Sequence, residues 1–177
     1  GGIADLEAVK KLISSGVEKI CLNTSAIEKL DLLQKIHNEF GSQSLSVSIN
    51  YKKIKNDYVF VDNNQNPINK KCIDYVNLVQ ENGAGEIIFN SIDRDGTMIG
   101  YDLGIINLVK NYLQVPTIIV GGCSNFEDIK QLFKLHPNIA SGCSSLFIYK
   151  GKFKAVLINY PSEDKKNKLM HNKNNNL

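Results

Sequence analysis

The chain has no tryptophan, only four prolines and no CxxC pair, and none of its apolar runs approaches the roughly 18 residues that span a bilayer. An integral membrane protein is therefore excluded, and the lack of a charged-then-apolar leader points away from secretion. The four cysteines (Cys21, Cys72, Cys123, Cys143) are scattered singly. They read as reduced thiols of a cytoplasmic protein, not as staples or zinc ligands. The three histidines (His37, His136, His171) are equally isolated, so no metal centre and no cofactor is expected. One-sided charge is also missing. The net charge is +3, and residues 162–177, with four lysines against Glu163 and Asp164, supply +2 of it. A body near +1 offers no electrostatic footprint for nucleic acid.

What is present is a globular composition, 42% hydrophobic and 22% charged over 177 residues. Apolar runs alternate with helix-period segments. Helices are expected over Asp5–Ser15, Ile27–Phe40, Cys72–Glu81, Asp102–Leu113 and Phe126–Leu135, with a last helical turn near Ala155–Ile158. Strands are expected at Lys19–Asn23, Leu45–Asn50, Glu86–Ile92, Pro116–Val120 and Ile139–Phe147, with a hairpin excursion around YVFVDNNQNP. Alternation about every 30 residues means βαβ units and a parallel sheet. Residues 162–177 are polar, Asn-rich and non-periodic, and read as a disordered tail behind a body spanning 1–161.

The chain repeats itself. GGIADLEAVKKLI (1–13) and GGCSNFEDIKQLF (121–133) align without a gap at an offset of 120, with Gly, Gly, Glu, Lys and Leu identical. At the same offset Asn23-Thr24-Ser25 falls on Cys143-Ser144-Ser145. Four units of 30 between the copies imply eight in a complete molecule, the unit count of a (β/α)8 barrel of about 250 residues. This chain has room for about five, so it reads as an N-terminally truncated barrel.

A GG before a helix most often marks a plain turn. Here each copy is paired with a hydroxyl-bearing strand end, and glycines followed by free N–H groups can close on an anion. Asn90-Ser91-Ile92-Asp93-Arg94-Asp95-Gly96-Thr97 follows an apolar strand, which in a barrel sets it at the C-terminal face where chemistry is placed. Strand parity gives one face to Ser46, Ser48 and Asn50, to Lys19, Cys21 and Asn23, and to Glu86, Ile88 and Asn90. Turned inward, these make an unusually polar barrel interior with Lys19 and Glu86 able to pair at its floor.

GGI, KICLNTSAI, FGSQSLSVSIN, GAGEIIFNSIDRDGTMIGYDL, VPTIIVGG and SSLF follow one another in a specific order and spacing. Over residues 1–161 the chain resembles the cyclase subunit of imidazole-glycerol-phosphate synthase. The resemblance implies a (β/α)8 barrel of histidine biosynthesis that receives ammonia from a glutaminase subunit at its N-terminal face. It also implies a bis-phosphate substrate cyclised at the C-terminal face. Gly2, Asn23 and Thr24 match one phosphate site of that family. Asp95, Gly96, Gly122, Ser144 and Ser145 match the other, although the family usually has Ala or Gly at Ser144. Lys19 and Glu86 match half of a charged gate around the ammonia entrance. The family's second catalytic aspartate falls on Asn50, whose amide cannot exchange a proton as a carboxylate does. The string Gly151-Lys152-Phe153-Lys154-Ala155-Val156-Leu157-Ile158-Asn159-Tyr160-Pro161 looks more like a paralogous branch tied to amidation of surface sugars. The expected function is therefore that of the paralogue, an ammonia-using cyclase-type lyase acting on a phosphorylated or sugar substrate beside a glutaminase. The histidine-pathway cyclase subunit is the alternative, and a non-catalytic ammonia conduit or scaffold is a third reading.

Overall fold

A computed structural model describes residues 2–135, 139–151 and 153–174 of the chain. Gly1, His136, Lys152 and the side chain of His171 lie outside the described residues. The chain opens with α1 (Leu6–Ser14), capped by Asp5, whose carboxylate accepts the Ala8 N–H at 2.8 Å. There follow β1 (Ile20–Leu22), α2 (Thr24–Glu28), α3 (Leu30–Phe40), β2 (Leu45–Ile54), β3 (Asp57–Val61), α4 (Cys72–Glu81) and β4 (Glu86–Ser91). The second half holds α5 (Leu103–Val109), β5 (Thr117–Val120), α6 (Phe126–Leu135), β6 (Ile139–Ser141), α7 (Ser145–Ile148), β7 (Tyr149–Lys150), β8 (Ala155–Val156) and α8 (Glu163–Asn174).

The main sheet runs β1-β2-β4-β5-β6, all parallel, with β3 hung antiparallel on β2. Each parallel strand lies beside the next in sequence, and right-handed crossovers in one direction put every connecting helix on the same side. A barrel wall grows this way, and a doubly wound sheet does not. The fold is α/β with a mostly parallel sheet, in keeping with the (β/α)8 class.

The helix-facing side of the sheet is dry. Leu45, Val47, Ile49 and Tyr51 of β2, Ile87 and Phe89 of β4, Ile119 of β5 and Ile139 of β6 are buried against Leu33, Ile36, Val76, Val79, Ile105, Ile106 and Leu132. Each such side chain contributes about 1.5–3 kcal/mol on removal from water. The opposite face carries the polar parity read from the sequence, and register lines it up in rows. Cys21, Ser46 and Glu86 share the lowest row, Ser48, Ile88, Ile118 and Ala140 the next, and Asn50, Asn90 and Val120 the highest.

Several local expectations need correction. β2 continues past Asn50 to Ile54, because Tyr51 is buried between Tyr58 and Phe89, with ring centroids 5.9 and 6.5 Å away. The segment expected as one helix over Ile27–Phe40 divides at Lys29, whose φ of −135° leaves the helical region while its ammonium donates to the Ala4 carbonyl at 2.9 Å. The strand expected to reach Phe147 stops at Ser141, where the Gly142 N–H donates to the Ile119 carbonyl and α7 begins. The helical turn expected near Ala155 is instead strand β8, paired with β7. Within the segment read as a polar tail, Glu163–Asn174 form α8. Leu169 is buried there, and the Lys165 ammonium sits 4.0 Å from the Phe126 ring centroid. One buried leucine and cation–π contacts anchor a segment whose composition alone reads as solvated.

Candidate functional site

At the C-terminal ends of β4, β5 and β6 lies a cleft of about 450 Å³, lined by Asp95, Gly96, Gly121, Gly122, Ser144 and Ser145 together with Ser48, Asn90 and two cysteines. All five residues matched to the second phosphate site line it. Gly121 and Gly122 have φ of +96° and +94°, the left-handed region that disfavours side chains. A Cβ on Gly122 would run into the Gly100 carbonyl, and one on Gly121 would approach the Ser91 carbonyl at 2.8 Å. The loop is tied shut by the Gly100 N–H, which donates to the Gly122 carbonyl at 2.7 Å. Arg94 faces away from this task. Its guanidinium donates to the Gly100 and Tyr101 carbonyls at 3.0 and 3.1 Å and so staples the loop. Among the described residues no lysine or arginine lines the cleft, and Asp95 brings a carboxylate to its rim. Its capacity for an anion therefore rests on backbone N–H groups and the hydroxyls of Ser144 and Ser145. Ser144 stands at the N-cap of α7 with its hydroxyl making no cap bond.

A second cleft of about 220 Å³ opens at the end of β1, lined by Gly2, Ile3, Asn23, Thr24, Ser25 and Asn63 among others. It gathers all three residues matched to the first phosphate site. Ser25 donates its hydroxyl to the Ile3 carbonyl at 2.5 Å, which closes the Gly2 loop onto the start of α2.

Asn50 lies between the two clefts in a chain of amides. The Asn90 amide donates to Asn50 Oδ1 at 3.0 Å, and Asn50 Nδ2 donates to Asn63 Oδ1 at 3.3 Å. The Asn63 N–H reaches Thr24 Oγ1 at 3.4 Å, and Asn23 Nδ2 donates to the Ser48 carbonyl at 2.7 Å. Both ends of the Asn50 amide are engaged, and among the described residues no carboxylate joins this chain. Sequence reasoning missed Asn63. It sits in the loop after β3, brought back by Asp62, whose Oδ1 accepts the Asn64 and Asn66 N–H groups at 2.8 Å each.

At the opposite end of the same face, the Lys19 ammonium lies 3.0 Å from Glu86 Oε2, and Ser46 donates to Glu86 Oε1 at 2.5 Å. Burial works against ionisation of Glu86, but the Ser46 hydroxyl and the Lys19 ammonium hold its carboxyl below the ordinary carboxylate value. The structure thus places the paired charges on the floor and the two clefts at the rim. Among the described residues, no group of three or more His, Cys, Asp or Glu is arranged to hold a metal.

A model of the family described as histidine biosynthesis protein matches residues 1–154. The chain belongs to that family. A Leptospira borgpetersenii protein provisionally named imidazole glycerol phosphate synthase subunit HisF is 42% identical over 172 residues, covering 96% of this chain and 68% of its own length. A Pseudomonas aeruginosa protein with the provisional name of hisF2 is 38% identical over 167 residues, 93% of this chain and 66% of its own. The HisF subunit of Sulfolobus acidocaldarius is 39% identical over 136 residues, 76% of this chain and 55% of its own. The chain thus spans about two thirds or less of the length of these relatives. All three are named for the HisF subunit of imidazole glycerol phosphate synthase, which favours the histidine-pathway alternative over the surface-sugar reading drawn from Asn50 and residues 151–161. Among the described residues no helix is long and apolar enough to cross a membrane.

Proposed function

We propose that this chain forms the substrate-binding wall of an imidazole-glycerol-phosphate-synthase-type cyclase subunit acting on a bis-phosphate substrate in the cytoplasm. One observation carries the reading: a single polar sheet face has two glycine–hydroxyl clefts at its rim and the Lys19–Glu86 pair at its floor. The clefts suit two phosphates of one elongated ligand. The charged floor suits the entry of ammonia delivered by a glutaminase partner docked below it. Between them, Asn50, Asn63 and Asn90 orient neutral hydroxyl or amide groups of the ligand but exchange no protons. Three further βα units, set against the open edges of β1 and β6, would close the eight-stranded barrel of this reading.

The test, in a protein that carries all eight βα units and the family's other catalytic aspartate, is ammonium-dependent cyclisation measured before and after Asn50→Asp. General acid–base assistance is worth about 10²–10⁴-fold, so a carboxylate restored at this position should raise turnover within that range. Equal turnover in both forms would mean that chemistry at this rim does not pass through residue 50. Absence of turnover in both, with the bis-phosphate still bound, would favour the conduit reading.

A further inference from the structure

Cys123 and Cys143 are 20 residues apart in sequence but converge in the larger cleft, where each flanks an anion-binding element. Cys123 follows Gly122 directly, and Cys143 precedes Ser144 and Ser145. Adjacent parallel strands bring them there: β5 and β6 pair Ile119 with Ser141, so Cys123 and Cys143 leave the same rim four and two residues beyond the paired positions. Cys123 is buried, with its thiol donating to the Asn125 carbonyl at 3.7 Å, and Cys143 is half-buried; both line the same cleft, and each thiol shifts the titration of the other. The Tyr101 hydroxyl closes the cluster at 2.6 Å from Ser141 Oγ and donates to the Gly142 carbonyl at 2.9 Å. Neither the cleft geometry nor the amide chain requires sulfur at these two positions.

We propose that Cys123 and Cys143 form a peroxide-sensitive dithiol, a modification site built into the larger cleft. The Cys143 sulfur attacks one oxygen of hydrogen peroxide, the O–O bond breaks, and hydroxide leaves to become water as Cys143 becomes a sulfenic acid. The Cys123 sulfur then attacks the Cys143 sulfur, the S–OH bond breaks, and a second water leaves with the Cys123 proton. Two thiols lose two protons and two electrons, and one peroxide becomes two waters. The order of events follows from the environment. The neighbouring Cys123 thiol draws the Cys143 thiol below its ordinary value against the opposing effect of burial, helped by Ser141 and Tyr101, while Cys123 itself is pushed up. Cys21 is exposed, but local burial and the Glu86 carboxylate push its thiol up, and burial does the same to Cys72. The reactive thiolate is thus the one with a resolving partner beside it. The disulfide would fasten the Gly122 loop to the residue before the N-cap of α7 and draw the two arms of the cradle together.

The experiment is peroxide treatment of the full chain followed by alkylation, intact mass and peptide mapping. A loss of two hydrogens with one cross-linked peptide pair, Cys123 to Cys143, is expected, with Cys143 consumed about tenfold or more faster than Cys21. Cys123→Ser should stop at a sulfenic acid on Cys143 that a cyclic 1,3-dione traps, and Cys143→Ser should leave Cys123 unmodified. First reaction at Cys21, or a different cross-link, would overturn the proposal. Its effect on binding rests on the anion reading and is measured separately, with inorganic phosphate followed by amide NMR shifts. Oxidation should abolish shifts at Gly122 and Ser145, spare those at Gly2 and Thr24, and be reversed by dithiothreitol. Unchanged phosphate affinity in the cross-linked protein would refute the coupling. No shift at either cleft in the reduced protein would instead refute the anion reading and leave the mass result to decide the dithiol.

Discussion

The two copies of the glycine motif start alike and finish differently. At an offset of 120, Asp5 caps α1 as Asn125 caps α6, and Leu6 and Phe126 open the two helices. At the strand ends the offset becomes 121. Asn23 offers its carbonyl to the N–H groups of Ala26 and Ile27, and the residue doing the same for Phe147 and Ile148 is Ser144. Structurally, then, Asn23 corresponds to Ser144 and Thr24 to Ser145, one residue beyond the sequence alignment. The surroundings diverge further. Gly122 is wedged against Gly100 and Arg94, whereas a Cβ on Gly2 meets nothing within 4 Å. A motif that repeats in sequence has become one rigid cradle and one open one, and the tertiary neighbours make the difference.

The largest expected effect follows from that contrast. Gly122→Val forces a β-branched residue into the left-handed region and against a backbone carbonyl, so stability should fall by about 3 kcal/mol or more. Phosphate shifts at the larger cleft should vanish with it. Gly2→Ala has open space and bears only the conformational penalty of positive φ, about 1 kcal/mol. Urea unfolding of both variants reads the difference. Equal losses would mean that the two glycines are alike after all.

A smaller effect separates the two helix caps. Asn125 Oδ1 accepts N–H groups from Glu127 and Asp128 at 2.8 and 3.1 Å, and Asp128 Oδ2 returns the favour to the Asn125 N–H at 3.2 Å and to Ser124. That reciprocal arrangement is a capping box. In the first copy Ala8 stands where Asp128 stands, so Asp5 caps alone. Asn125→Ala should cost about 1–2 kcal/mol and Asp5→Ala about 1 kcal/mol or less. Asp128→Ala should bring the second cap down to the level of the first. Thermal unfolding of the three variants would show it, and an Asp128→Ala with no cost would remove the capping box from the account.

How much of this was legible in the sequence depended on how local each signal is. The polar parity Ser46-Ser48-Asn50 survives as aligned rows, because strand alternation is fixed by the backbone. The gathering of Gly122, Ser144 and Ser145 in one cleft followed from the motif order and the parallel sheet. The extension of β2 was hidden, because Lys52 and Lys53 look like the start of a turn while the burial that recruits Tyr51 comes from Tyr58 and Phe89. IASGCSSLF reads as one strand, yet Gly142 hands its N–H to β5 and ends it. Asn63 and the Cys123–Cys143 pair carry no spacing signal at all. Only the folded chain brings Asn63 to Thr24, or one thiol to the other.

The two copies also differ at the floor of the sheet, where the smallest effect is expected. The first copy carries Lys19 there, and at either offset the second has Ile139 or Ala140. The Lys19–Glu86 contact is therefore a feature of one half only, and about half of the Lys19 side chain is exposed, so the pair is worth about 0.5–1 kcal/mol after solvent screening. Its pH dependence has a definite sign. Glu86 titrates below its ordinary value of 4.5 in the folded chain, so the unfolded chain binds the proton more readily. The stabilisation is complete above pH 4.5 and disappears as pH falls through the lower, folded value. The urea midpoint of the natural chain should exceed that of Glu86→Gln at neutral pH, and the gap should shrink on acidification below pH 4.5. Lys19→Met should narrow the gap at neutral pH but leave the part supplied by Ser46, whose hydroxyl still donates to the carboxylate. A gap independent of pH would show that Glu86 acts at the floor by its shape and packing, and that the charge difference between the halves contributes nothing to folding.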